Sequence, residues 1–203
     1  MWRAVGTDQM ADDDKDFEAR VQARSEEVAR RNRWKTLADP DEMLEAWAEV
    51  RDYWGRKDDR FFWLIDRLRA GGPDEWHSFA TNWNWDHGIA PLIWITRQPS
   101  CDKATAAHFY WGLGPEFYFA GGWNPDDSLE DHRFSHSVLL DLLDRWEKGF
   151  YTRSEIYFEK PHWISRFDLD QLRAPIEARE TIPGRKIGAP VFWRDRLEGF
   201  DFD

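Results

Sequence analysis

Two short segments of the chain each place an acid beside a second reactive side chain. Asp86 precedes His87 in the stretch "TNWNWDHG", and Cys101 precedes Asp102 in the stretch "PSCDKAT". Carboxylate, imidazole and thiol groups are those that general acid–base and nucleophilic catalysis use. If the fold brings the two segments together, the four side chains could form the pocket of a hydrolase.

The same segments also have a structural interpretation, which we favour. Asn84 or Asp86 can accept a backbone N–H of the next helix, and Gly88 lets two backbones approach closely. Asp102 stands where the N-cap of another helix is expected. The segment 82–88 is therefore predicted to be a capped corner between two packed helices.

Cys101 precedes a predicted helix N-terminus, where the helix dipole favours the thiolate. However, His108 lies seven residues further on, roughly 10 Å along the helix axis, which is too far for a Cys–His hydrogen bond. A buried, inert thiol is therefore the simpler expectation, and we predict no catalytic residue outside the hydrolase alternative.

A metal, cofactor or phosphate site has little support in the sequence. His132 and His136 are four residues apart, a spacing by which two imidazoles can share a metal ion. Zinc needs further ligands, and no second His or Cys cluster with ligand spacing follows. GxxxxGK[ST], GxGxxG and GxSxG motifs are absent from the sequence. We expect no metal and no cofactor.

Charge is concentrated in the middle of the chain. Residues 71–150 contain 12 Asp and Glu against 5 Lys and Arg, which gives −7 of the total net charge of −11. The negative electrostatic field of this block repels nucleic acids and attracts basic proteins. One tryptophan of this block and the acids that follow it in the sequence are predicted to bind a partner. They are Trp123, Asp126, Asp127, Glu130 and Asp131. Such acid pairs could also flank a sugar cleft, with tryptophan as the stacking platform.

Composition bounds the remaining possibilities. A chain of 203 residues with 14 tryptophans can bury one substantial core, so we predict a single domain. A lone cysteine and a start without an apolar secretory signal indicate the cytoplasm. The apolar runs are too short for a membrane span.

Periodicity predicts a mainly α fold of about seven helices. An N-terminal helical extension is expected over 1–70, a core over 71–158 and an irregular, wrapping C-terminal tail over 159–203. Residues 117–128 are predicted to be a loop, and a short β element is expected near 151–158.

The block 82–111 resembles a bacterial family known as domain of unknown function 4274 (DUF4274). The resemblance is carried by Asn82, Trp83, Asn84, Trp85, Asp86, Gly88, Pro99, Cys101, Asp102, Thr105, Ala106, Tyr110 and Trp111. Residues 149–158 extend it, whereas His87 replaces a second acid of the family pattern. The resemblance implies an α-helical fold and no particular reaction.

Together these features predict a cytoplasmic acidic protein that binds a basic protein partner. The most specific form of this hypothesis is an immunity protein that neutralises a bacterial toxin, because toxins that act on nucleic acids have cationic clefts. The alternative is an enzyme built on Asp86, His87, Cys101 and Asp102.

Overall fold

The computed structural model describes residues 7–50, 52–53, 56–57, 59–126 and 128–187. The chain divides into two compact units, residues 1–58 and residues 59–203. Each unit is described by itself below. The prediction of a single domain is not tested by this division and stays a prediction.

The first unit contains two helices and a small hairpin. Helix α1 (Thr7–Asn32) leads into a 3₁₀ turn (Arg33–Thr36), which helix α2 (Pro40–Val50) follows. Asp39 caps α2, because its Oδ1 accepts the backbone N–H groups of Asp41 and Glu42 at 2.9 Å. Strands β1 (Asp52–Tyr53) and β2 (Arg56–Lys57) pair antiparallel.

The second unit contains seven α-helices within its described residues. They are α3 (Asp59–Ala70), α4 (Pro73–Asn82), α5 (Ala90–Thr96), α6 (Lys103–Gly112), α7 (Pro115–Phe119), α8 (Glu130–Glu147) and α9 (Ile176–Arg179). Two 3₁₀ turns, Trp85–His87 and His162–Arg166, complete the regular structure. Pro73, Pro91 and Pro115 each lie in the first turn of a helix, where a missing N–H costs nothing.

Helix α6 is the central element of this unit, and it contacts α4, α5, α8 and α9. Almost every side chain of α6 is buried, on all sides of the helix. Its small residues Ala104, Ala106 and Ala107 allow the neighbouring helices to approach closely, and its large residues Tyr110 and Trp111 fill the remaining space.

The C-terminal tail is attached to α6 by side chains that bind its backbone. The hydroxyl of Tyr110 donates to the carbonyl of Leu172 at 2.5 Å, and the indole N–H of Trp111 donates to the carbonyl of Ala178 at 3.0 Å. Leu172 and Ala178 are themselves buried. The tail therefore completes the core of the second unit.

The prediction of a mainly α fold is confirmed. The described residues contain nine α-helices rather than about seven. The two additional helices, α7 and α9, are single turns, and α7 occupies the start of the predicted loop over 117–128. Near 151–158 the chain forms isolated bridges, in which Arg153 pairs with Asp102, Ile156 with Arg185 and Phe158 with Ile182. Phe192 and Trp193 in the C-terminal part of the predicted tail lie outside the described residues.

Within the described part of the chain, no helix combines the length and the apolar character that crossing a bilayer requires. Of the eleven tryptophans whose side chains are described, six are buried and five are half-buried. The indoles therefore serve mainly to build the core.

Helices α4 and α6 share a buried polar contact. Nδ1 of His77 lies 3.0 Å from the hydroxyl of Thr105, and the ring of His77 is only 6% exposed. Burial and the neighbouring His108 lower the pKa of His77 to about 4. Burial also lowers the pKa of His108, which the backbone hydrogen bond to Ala80 opposes. The packed state therefore requires His77 to be neutral.

This depressed pKa predicts that acid weakens the fold before the carboxylates titrate. The unfolded chain binds a proton at His77 near pH 6.5, whereas the folded chain binds it near pH 4. The contribution of His77 to the free energy of unfolding is therefore fully present above pH 6.5. It decreases by about 3 kcal/mol as the pH falls toward 4. We expect His77→Gln to flatten this slope in urea unfolding measured between pH 4 and 7. The exposed His162 supplies the matched control, His162→Gln, which should retain the wild-type slope.

Candidate functional site

The corner at residues 82–88 is closed by its own side chains. Oδ1 of Asn84 accepts the backbone N–H of Asp86 at 3.0 Å and caps the 3₁₀ turn Trp85–His87. The indole N–H of Trp83 donates to the carbonyl of Gly88 at 2.8 Å. Gly88 has a φ of +87°, a conformation that favours glycine. This geometry supports the structural interpretation of the corner.

The two tryptophans of the corner pack in different directions. The ring of Trp83 lies 4.8 Å from that of Phe79 and 5.4 Å from that of His87. The ring of Trp85 covers Gly112, where an added Cβ would lie 2.3 Å from Cζ2 of the indole. His87 is buried among aromatic rings, whereas Asp86 is exposed.

Asp102 joins the start of α6 to a distant part of the chain. Its carboxylate is fully buried. Oδ1 accepts the backbone N–H of Ala104 at 2.9 Å, and Oδ2 accepts the backbone N–H of Glu155 at 2.8 Å. Nε of Arg153 lies 3.8 Å from Oδ2, and the carbonyl of Arg153 accepts the N–H of Lys103 at 2.9 Å. Both carboxylate oxygens are therefore used to hold backbone in place.

Cys101 is buried beside this junction. Its Sγ lies 3.6 Å from the carbonyl oxygen of Asp102, and the side chain has no solvent exposure. Burial, with a smaller contribution from the Asp102 carboxylate, raises the pKa of the Cys101 thiol. The dipole of α6 does not overcome this desolvation. In this conformation Cys101 is a neutral thiol that no substrate can reach.

The four residues of the hydrolase alternative therefore occupy different environments. Asp86 faces solvent, His87 is packed against rings, and Cys101 and Asp102 are sealed inside the second unit. A solvent-accessible pocket requires exposed functional groups, and only Asp86 among the four is exposed.

A second region combines exposed apolar side chains with acids. It consists of α7, the loop 120–129 and the first two turns of α8. We call it the aromatic–acidic face, and its described members are Phe117, Tyr118, Trp123, Asp126, Leu129, Glu130, Asp131, His132 and His136. Phe117 is 46% exposed and Leu129 is 71% exposed. Exposed large apolar residues at a loop and its flanking helices are typical of an interaction surface.

His136 lies at the centre of the aromatic part. Its ring stacks on Tyr118 at 5.5 Å and lies 4.5 Å from Trp123 and 5.7 Å from Phe119. Burial, followed by the positive charge of Arg173, lowers the pKa of His136. Both effects favour the neutral imidazole, which serves as one more ring in the packing.

The two histidines whose spacing could suit a metal ion are separated by this arrangement. His132 is exposed with its ring 5.2 Å from that of Phe117, whereas His136 is half-buried between Tyr118 and Trp123. Among the described residues, no three His, Cys, Asp or Glu side chains are grouped so that they could hold a metal ion.

Arg173 brings a cation to the edge of this face. It is the one described residue other than glycine with a positive φ, +56°, because it closes the turn in which the N–H of Ala174 donates to the carbonyl of Leu169. Its guanidinium lies 5.5 Å from the ring of Phe119. The indole N–H of Trp123 and Oε2 of Glu116 are buried without a hydrogen-bond partner.

The acids predicted to bind a partner are exposed in this region where the structure describes them. Asp126 is exposed in the loop, and its N–H donates to Oδ1 of Asn124 at 3.2 Å. Glu130 and Asp131 are exposed in the first turn of α8, where the helix dipole favours acids. Asp127 lies outside the described residues.

Sequence reasoning identified Trp123 and the acids but not Phe117, Tyr118, Leu129 or Arg173. The run "FYF" within a predicted loop was the available signal, because three aromatics in a loop need either burial or a partner. Arg173 gave no signal, since its position depends on the fold of the tail.

Residues 72–152 match the family described as "Domain of unknown function (DUF4274)". The resemblance inferred from the block 82–111 is thereby confirmed, and it extends over α4 to α8. Asp102 and all described members of the aromatic–acidic face lie within the matched residues, whereas Arg153 and Glu155 of the junction lie just beyond them. No curated protein and no solved structure matches the chain.

The junction predicts a large loss of stability when the Asp102 carboxylate is removed. Asp102→Ala leaves the N–H groups of Ala104 and Glu155 without acceptors, which we expect to cost about 3 kcal/mol in urea unfolding. Asn84→Ala removes an exposed cap of the same kind and should cost about 1 kcal/mol or less. Equal losses for the two variants would contradict the role given to Asp102.

Burial of Cys101 predicts that the native protein resists thiol reagents. Because the chain has a single cysteine, labelling by Ellman's reagent reports on this residue alone. We expect native Cys101 to react at least about a hundredfold more slowly than the same thiol in urea, since the thiolate is the reactive form. Rapid stoichiometric labelling under native conditions would instead indicate an accessible nucleophile.

Proposed function

We propose that this chain, whose residues 72–152 belong to the DUF4274 family, is a protein-binding module that recognises a basic partner through the aromatic–acidic face. The observation that carries the proposal is that Phe117 and Leu129 are exposed in the same region as the exposed acids Asp126, Glu130 and Asp131, with the ring of Phe117 packed against His132 of α8. Apolar groups at the centre and charged groups at the rim are the usual composition of a protein interface.

The apolar members supply the contact area. Phe117 and Leu129 can lose solvent-accessible surface on binding, and the half-buried Trp123 presents part of an indole. Aromatic side chains in the middle of an interface contribute a disproportionate share of the binding energy. Trp123 and Tyr118 already pack against the ring of His136, which reduces the conformational entropy that these side chains would lose when a partner binds.

The acids give the face its selectivity. Residues 71–150 carry a net charge of −7, and three of their acids lie on this face within the described residues. A negative field accelerates the encounter with a positively charged protein and disfavours nucleic acids and other acidic proteins. The partner is therefore expected to present Lys or Arg around an apolar depression.

The specific form of the proposal is that the partner is a toxin whose basic cleft acts on nucleic acid. In this form the acids replace the phosphates of the substrate, and Phe117 or Trp123 blocks the cleft sterically. Our support for an inhibitor rather than an enzyme is the burial of Cys101 and Asp102.

Neutralising the acids tests the proposal. The triple variant Asp126→Asn, Glu130→Gln, Asp131→Asn should weaken partner binding at least about tenfold at low salt, and this loss should shrink as salt rises. Affinity capture from the source cells identifies the partner, and calorimetry with the purified partner at two salt concentrations measures the loss. A captured toxin should arrest growth when expressed alone but not together with the wild-type chain.

A matched control is available on α2. Glu42, Glu45 and Glu49 are exposed, and their change to Gln alters the net charge by the same amount. This control should bind within about twofold of the wild type, since these three acids are not members of the proposed binding surface. Equal binding by the wild type and the aromatic–acidic variant would refute the proposal, as would a partner without basic character.

A further inference from the structure

Helix α1 has no buried face along its described side chains. Between positions 17 and 31 every side chain is exposed except Glu27, which is half-buried. The helix has 26 residues, which corresponds to about 39 Å at 1.5 Å per residue. Most helices in proteins owe their stability to packing of one face, so a helix of this length without such a face lacks its usual support.

Local ion pairs give only part of that support. Glu27 accepts hydrogen bonds from Arg30 and Arg31 at 2.7 Å, and Gln22 donates to Glu26 at 2.8 Å. Exposed pairs of this type contribute a few tenths of a kcal/mol each.

The apolar residues of α1 form one stripe. Phe17, Val21 and Val28 are 66%, 52% and 47% exposed. With Arg24 and Arg31 they follow one another at intervals of four, three, four and three residues. This alternation of three and four is the spacing by which two helices pack along a common line, and the stem of an arginine can cover apolar surface within it.

The two ends of α1 carry opposite charge. Residues 12–18 contain five acids and one lysine, a net charge of −4, whereas the last turn, residues 28–32, contains two arginines and no acid, and Arg33 and Lys35 follow in the 3₁₀ turn. Two such helices repel each other when parallel, because like ends meet. When antiparallel they attract, because each acidic end meets a basic end.

We propose that α1 pairs antiparallel with α1 of a second copy of this chain. In this arrangement Phe17 lies level with Val28 of the partner subunit, and Val21 lies level with Arg24 of the partner subunit. Arg20 flanks the pair on the side of Glu27 of the partner subunit, which adds an attractive contact. The proposed dimer surface shares no residue with the aromatic–acidic face, so the two proposals can fail independently.

Sedimentation of the full-length chain tests the association. The wild type should change from monomer to dimer as its concentration rises, and Val21→Lys should raise the dimer dissociation constant at least about tenfold by placing a charge beside Arg24 of the partner subunit. Ala19→Lys adds the same charge on the opposite side of α1 and should leave the dimer intact. A wild type that stays monomeric overturns the proposal, as does equal loss in both variants.

Disulfide trapping tests the orientation. A chain with Phe17→Cys mixed with a chain with Val28→Cys should yield mostly the mixed dimer upon oxidation, because the two positions are level only in the antiparallel pair. Two copies of position 17 are then about 16 Å apart, beyond the reach of a disulfide. The native thiol, Cys101, is buried and does not interfere. A product dominated by Phe17→Cys homodimers would overturn the antiparallel arrangement.

Discussion

The buried carboxylate of Asp102 is the interaction on which the second unit depends. A charged group without solvent is tolerated only where hydrogen bonds replace its hydration. Here the replacement comes from the backbone N–H groups of Ala104, at the start of α6, and of Glu155, which lies fifty-three residues beyond Asp102. The start of the central helix and the position of the segment after α8 are therefore fixed by one side chain.

This constraint determines which residues remain for function. Because Asp102 is used for backbone contacts and Cys101 is sealed beside it, the polar residues that look most reactive in the sequence support the architecture. The same holds for His87, which is packed against aromatic rings. The two proposed interaction surfaces, the aromatic–acidic face and the stripe of α1, are among the regions in which apolar side chains meet solvent.

The two proposed interaction surfaces use charge differently. On the aromatic–acidic face the charge has one sign and favours a partner of the opposite sign. On α1 the charge changes sign along the helix and favours an antiparallel copy of the same helix. The helix macrodipole favours acids at the N-terminus and basic residues at the C-terminus even in a helix that binds nothing. A partner for α1 is therefore indicated by its exposed apolar stripe as well as by its charge.

The sequence by itself determined the helical class and most helix starts, because the signals are local. Pro73 opens α4, Asp102 caps α6, and the apolar period of α8 spans five turns. Tertiary structure decided the pairs that no local pattern encodes. It placed Glu155 on Asp102, and it placed the tail on α6, where Tyr110 and Trp111 bind its carbonyls. These contacts join residues more than fifty positions apart. Local sequence does not specify such partners, because they come together only when the whole core is packed.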